Sequence, residues 1–156
     1  MSDADPALRR RLARRHHLIG WWGLLLFLAL GIVLETLHGF KVDFYLDPAH
    51  RNRRLLWTLA HAHGTLLSLM HVGFAAGLMQ LGCWSERPLR LASFLLIDAL
   101  VLLPIGFFLG GLGHTEVDPA PGVLLVPVGA LFLLIGVGIV AWSATRRDLK
   151  QPPDAS

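Results

Sequence analysis

Four long apolar runs, at about 18–38, 55–81, 91–112 and 123–144, constrain this chain more than any other feature. Each reaches the ~20 residues that a helix needs to cross a ~30 Å hydrocarbon core at ~1.5 Å per residue. Backbone polar groups in lipid must be satisfied within the segment, so such a run is helical. A barrel strand instead alternates apolar and polar residues over about ten positions, and no segment here does. The sequence predicts an all-α, four-transmembrane-helix bundle over 18–145. A basic N-terminal tail (1–17) precedes it and a short tail (146–156) follows.

Composition agrees. Of 156 residues, 54% are hydrophobic and 16% charged, where soluble domains average about 45–50% and about 25%. The single cysteine, Cys83, excludes an intramolecular disulfide and a cysteine-based zinc centre. Neither a Gly-x-Ser-x-Gly elbow nor a Gly-x-x-x-x-Gly-Lys phosphate loop is present. The pI near 9.8 comes from arginines that flank the apolar runs, which points to membrane orientation rather than nucleic-acid binding. The first run follows a signal-like basic start. It is longer than a ~7–15-residue signal core and lacks a cleavage site, so it is read as a retained span.

Basic residues set the expected orientation. The two tails and the 83–90 loop carry ten, while the other side carries four: Lys41, Arg51, Arg53 and Arg54. That bias puts both termini in the cytoplasm. The composition suggests a bacterial inner membrane. The five tryptophans fall near span ends, where indoles favour the interface. Gly73-x-x-x-Gly77 and Gly106-x-x-x-Gly110 are expected to pack helices, and Pro104 and Pro127 to kink the last two spans.

Ionisable groups inside a span cost at least ~2.5–3.5 kcal/mol near the bilayer centre, so they mark function. The candidates are Glu35 and His38 on the first run, His61 and His71 on the second, and Asp98 on the third. With His61 set to 0° on a helical wheel, Thr58, Thr65, Ser68 and His71 fall at about 60°, 40°, 340° and 280°, one polar face. Leu56, Leu59, Leu66, Leu67, Met70, Phe74 and Leu78 fall on the opposite side, at about 140–260°, expected to face lipid. His63 lies at about 200°, so His61-x-His63 is no chelate and His63 must contact another helix, a second subunit or the interface.

Depth suggests partners. Glu35, His38 and His61 share an outer layer, which His114 and Glu116 in the His114–Ala120 loop could close. Glu35-x-x-His38 puts carboxylate and imidazole on one face, the spacing that carboxylate-bridged metal bundles use twice. The expected metal ligands are thus Glu35, His38, His61 and His114. His71 lies about ten residues, or ~15 Å, deeper and is expected to hydrogen-bond Asp98 as a proton relay. His16 and His17 are expected to be solvated in the tail.

Ala60-His61-Ala62-His63-Gly64 resembles the intramembrane His-x-His stretch of relatives of haem–copper oxidase subunit I. The likeness covers these five residues. That family's twelve spans and later paired histidines are absent. What the resemblance implies is haem among the ligands to consider.

Three functions follow as expectations. The first is a small membrane redox component in which His61, with His38 or His71, ligates haem or a transition metal. The second is a non-catalytic assembly or scaffold subunit whose buried polar groups are latches. The third is a proton-coupled transporter or relay subunit using His71, Asp98 and Glu35. The lipid bilayer is the expected medium, with a homodimer or a larger membrane complex as the assembly.

Overall fold

The computed structural model describes residues 4–48, 51–80, 84–112 and 119–148. They form α1 (Pro6–Gly39), a short α2 (Asp43–Leu46), α3 (Arg51–Gln80), α4 (Glu86–Gly110), a 3-10 turn (Pro121–Leu124) and α5 (Leu125–Asp148). Four of the helices are long and apolar enough to cross a membrane. There is no β-strand among the described residues.

The first helix is longer than the apolar run that announced it. Pro6 occupies its first turn, and the Asp5 carboxylate accepts from the Ala7 N–H at 2.9 Å. Proline tolerates that position because the first-turn N–H groups lack intrahelical partners anyway. Over 34 residues α1 is about 51 Å long, so it reaches well past a hydrocarbon core. Residues 6–17 are therefore helix rather than loose tail. Leu8, Leu12 and Ala13 are buried with Leu78, Trp84 and Leu89. The Ala4 N–H donates to the Trp84 carbonyl at 2.5 Å, tying the N-terminal segment to the start of α4.

At its other end α1 closes with a Schellman arrangement. The Val42 N–H donates to the Leu37 carbonyl and the Lys41 N–H to the His38 carbonyl, at 3.0 and 3.1 Å. Lys41 supplies the left-handed residue, φ 52°, a place that glycine usually takes.

The long helices pack in series: α1 on α3, α3 on α4 and α4 on α5, with α1 and α5 at the two ends. Side chains of α1 also reach α4: Leu8 and Leu12 share a core with Leu89 and Ala92, and His16 reaches Ser93. Leu56, Leu67, Phe74 and Leu78, expected to face lipid, are buried because α4 covers that side of α3. Gly106 and Gly110 do meet α5 and the turn before it. Gly73 meets nothing, since it lies on the exposed side of α3. Pro127 stands in the first turn of α5, so its missing N–H disrupts no helical bond.

Two tryptophans are core rather than interface residues. Trp84 is buried, and Trp57 donates its indole N–H to the Phe108 carbonyl while stacking on the Phe108 ring at 5.1 Å. Arg53 joins that cluster. Its guanidinium donates to the Phe44 carbonyl at 2.9 Å and the Gly111 carbonyl at 3.3 Å, and lies over the Phe44 ring. It is 6% exposed and pins α2 and the end of α4 onto α3. Trp21, Trp22 and Trp142 remain exposed, as an interfacial role requires.

Candidate functional site

The polar groups converge on the seam between α1 and α3. Glycines on α1 let α3 come close, because no Cβ stands between the two helices there. A Cβ at Gly20 would lie 2.7 Å from Val72, one at Gly23 would strike the Ser68 hydroxyl, and one at Gly31 would lie 2.5 Å from the His61 ring. From the other side, Gly64 on α3 receives the Phe27 ring. The α1 glycines carry the packing expected of Gly73 on α3.

At the end of the seam nearest the N-terminus sits a buried imidazole pair. His16 Nδ1 and His71 Nδ1 are 2.5 Å apart, and His16 Nε2 is 2.8 Å from the Ser93 hydroxyl on α4. His16 is fully buried, and His71 and Ser93 are each 2% exposed. His71 also hydrogen-bonds the Leu96 backbone. One arrangement of hydrogens satisfies all of these groups. His71 donates from Nε2 to the Leu96 carbonyl and accepts at Nδ1 from His16 Nδ1–H. Ser93 Oγ–H then donates to His16 Nε2, since a neutral imidazole has one donor and one acceptor. Phe74 closes the site with its ring edge-on to His16, 4.7 Å between centroids.

This pair corrects two expectations. His16 is not solvated: it lies on the stripe Leu8, Leu12, His16, Gly20, Leu24 that faces the neighbouring helices. His71 is bonded to His16 rather than to Asp98. Asp98 has a suitable depth but the wrong azimuth, falling about 140° around α4 from Ser93. Half-buried, it has no hydrogen bond to His71.

At the far end, Glu35, His38, Tyr45, Thr58 and His61 line a side-opening cavity of about 210 Å³. His61 Nδ1 is 2.7 Å from the Phe27 carbonyl. A carbonyl only accepts, so Nδ1 carries the hydrogen and Nε2 is left as a lone-pair nitrogen. Glu35 and His38 are exposed, and the His38 ring lies edge-on to Tyr45. Among the described residues no three His, Cys, Asp or Glu side chains stand where one metal ion could bind them together. His114, the fourth expected ligand, lies outside the described residues.

His63 behaves as its azimuth required. Its Nδ1 is 2.9 Å from the Leu59 carbonyl and its ring packs on Phe107 of α4. His17 is exposed.

Between the two ends, α3 keeps a polar row at three- and four-residue steps: His71, Ser68, Thr65, His61, Thr58. Each step rises ~4.5–6 Å along the helix. The Ser68 hydroxyl donates to the Gly64 carbonyl at 2.7 Å, and the Thr65 hydroxyl is buried with no hydrogen-bond partner among the described residues. No protein-family model, curated protein or solved structure matches the chain.

Proposed function

We propose that this chain is a proton-relay subunit of a membrane, in which the α1–α3 seam passes protons between imidazole, hydroxyl and carboxylate groups. The observation that carries this reading is the polar row of α3. It leads from the His16–His71–Ser93 network to the cavity of His61, Glu35 and His38. Gaps of one helical turn are the size that a single hydrogen-bonded water bridges. Imidazole suits the task because each ring can accept at one nitrogen while it releases at the other. The arginine bias orients the termini to the cytoplasm, so the His16 end faces inward and the Glu35 end outward. In this reading the medium is a bacterial inner membrane, and the exposed apolar sides of α1 and α5 meet lipid, a second copy or a larger complex.

The test is proton flux into liposomes holding the purified full chain, read with an internal pH dye under an imposed potential. Wild-type protein should conduct above protein-free vesicles. His71→Phe, which keeps a planar ring in the buried site, should abolish that conduction while helicity is retained. Wild-type flux equal to empty vesicles defeats the proposal.

A second reading keeps the redox expectation. The Phe27 carbonyl holds the His61 Nδ1–H and leaves a lone pair on Nε2, the orientation that a metal-binding histidine has. The cavity of about 210 Å³ is below the ~300–1,000 Å³ of ordinary ligand pockets, so it suits an ion better than a whole haem. A haem would have to lie between chains. An optical spectrum with metal analysis of protein from metal-replete cells tests this reading. A Soret band or a stoichiometric metal, lost in His61→Ala, supports it, and colourless metal-free protein refutes it.

A further inference from the structure

A groove outside the seam remains unused by the relay. It lies between the N-terminal part of α1 and the last turns of α3, with a volume of about 400 Å³. Arg10, Arg14 and His17 line one wall, and Val72, Ala76 and Met79 line the other. The three basic residues fall within about 60° on α1 because their spacings are four and three. The opposite wall is deep because Ala75 and Ala76 are small. The basic wall runs ~10 Å along α1 from Arg10 to His17. His17 and Val72 lie toward the apolar run, and Arg10 and Met79 lie toward the aqueous end. Among the described residues no carboxylate lines the groove.

We infer that this groove binds one anionic phospholipid from the leaflet at the N-terminal end of the bundle. The phosphate would sit on Arg10 and Arg14 toward the aqueous end, and an acyl chain would run past Ala76 and Val72 toward the apolar run. The charge of the wall selects the headgroup: basic pockets between membrane helices favour anionic lipids over zwitterionic ones. Arginine suits phosphate because its planar fork donates two parallel hydrogen bonds. The apolar wall selects a lipid over a free anion. Both arginines are exposed, so their guanidinium groups can reach a headgroup. Exposed Trp21, whose ring lies 6.2 Å from that of His17, stands one turn further along the same side of α1. It gives the site an optical reporter.

The experiment titrates brominated phosphatidylglycerol, and separately brominated phosphatidylcholine, into the full chain in mixed micelles and follows tryptophan quenching. Native mass spectrometry counts the lipid retained. Wild-type protein should keep one phosphatidylglycerol and prefer it over phosphatidylcholine. Arg10→Gln with Arg14→Gln should weaken that preference by roughly thirtyfold. Arg11→Gln with Arg15→Gln removes the same charge about 100° around the helix and should leave most of the preference intact. Ala76→Phe fills the apolar wall and should expel the lipid with the arginines in place. Equal losses in the two arginine pairs would reduce the effect to general surface charge and overturn the site. Displacement of the lipid by millimolar inorganic phosphate would overturn the lipid assignment in favour of a free-anion site.

Discussion

Replacing Gly31 with alanine tests the seam with a single methyl group. The added Cβ would stand 2.5 Å from His61 Cε1 and 2.8 Å from His61 Nδ1. Carbon atoms in contact settle at about 3.5–4.0 Å, so the imidazole must move by roughly 1 Å. That movement takes Nδ1 off the Phe27 carbonyl, to which it is bonded at 2.7 Å. Overpacking costs about 1–3 kcal/mol, and the lost hydrogen bond about 0.5–1.5 kcal/mol. Alanine returns about 1 kcal/mol through its better helix propensity. The expected net destabilisation is about 2 kcal/mol, read by circular dichroism during unfolding in mixed micelles. Gly73→Ala is the control. A Cβ there meets nothing, so propensity alone should stabilise by about 1 kcal/mol. In a His61→Ala background, Gly31→Ala should change sign and stabilise. Equal shifts for Gly31→Ala and Gly73→Ala would refute the close approach of α3 to α1.

Other substitutions separate the remaining parts. Lys41→Gly should stabilise by about 1 kcal/mol in thermal unfolding, because a side chain in the left-handed region costs roughly that much and the Schellman bonds remain. Arg53→Met should cost about 2–3 kcal/mol, since two carbonyls lose a charged donor, and should open the α2 segment to limited proteolysis. Asp98→Asn should leave proton flux unchanged, because the carboxyl stands off the His16–His71 network. Ser93→Ala removes the donor to His16 Nε2 and should cost about 1–3 kcal/mol by the same unfolding assay, with no change in helix content.

The four helices were legible because lipid leaves a ~20-residue apolar run only one backbone solution. The start of α1 was not, since five arginines between 9 and 15 hid the stripe Leu8, Leu12, His16 that continues into Gly20. Reading that stripe at four-residue steps would have moved His16 from tail to core. The polar face of α3 was visible on a wheel, and His61 does meet α1 there. Its partners were not visible, because depth follows from counting residues while azimuth on a second helix depends on which neighbours pack there. Asp98 fails on azimuth alone. The covered leucines of α3 misled for the same reason: one apolar face looks alike against lipid and against α4. Arg53 counted only toward orientation, because nothing in a sequence announces that a guanidinium will cap the carbonyls of two other elements.

The relay reading needs one hydrogen shared between His16 and His71, where the polar row of α3 begins. Solution NMR of the chain in detergent, with ¹⁵N-labelled histidine, can detect scalar coupling between two nitrogens across a hydrogen bond. The account predicts a cross-peak joining the Nδ1 atoms of these two residues, lost in either His16→Phe or His71→Phe. Two uncoupled imidazoles, each exchanging its proton with water, would contradict it.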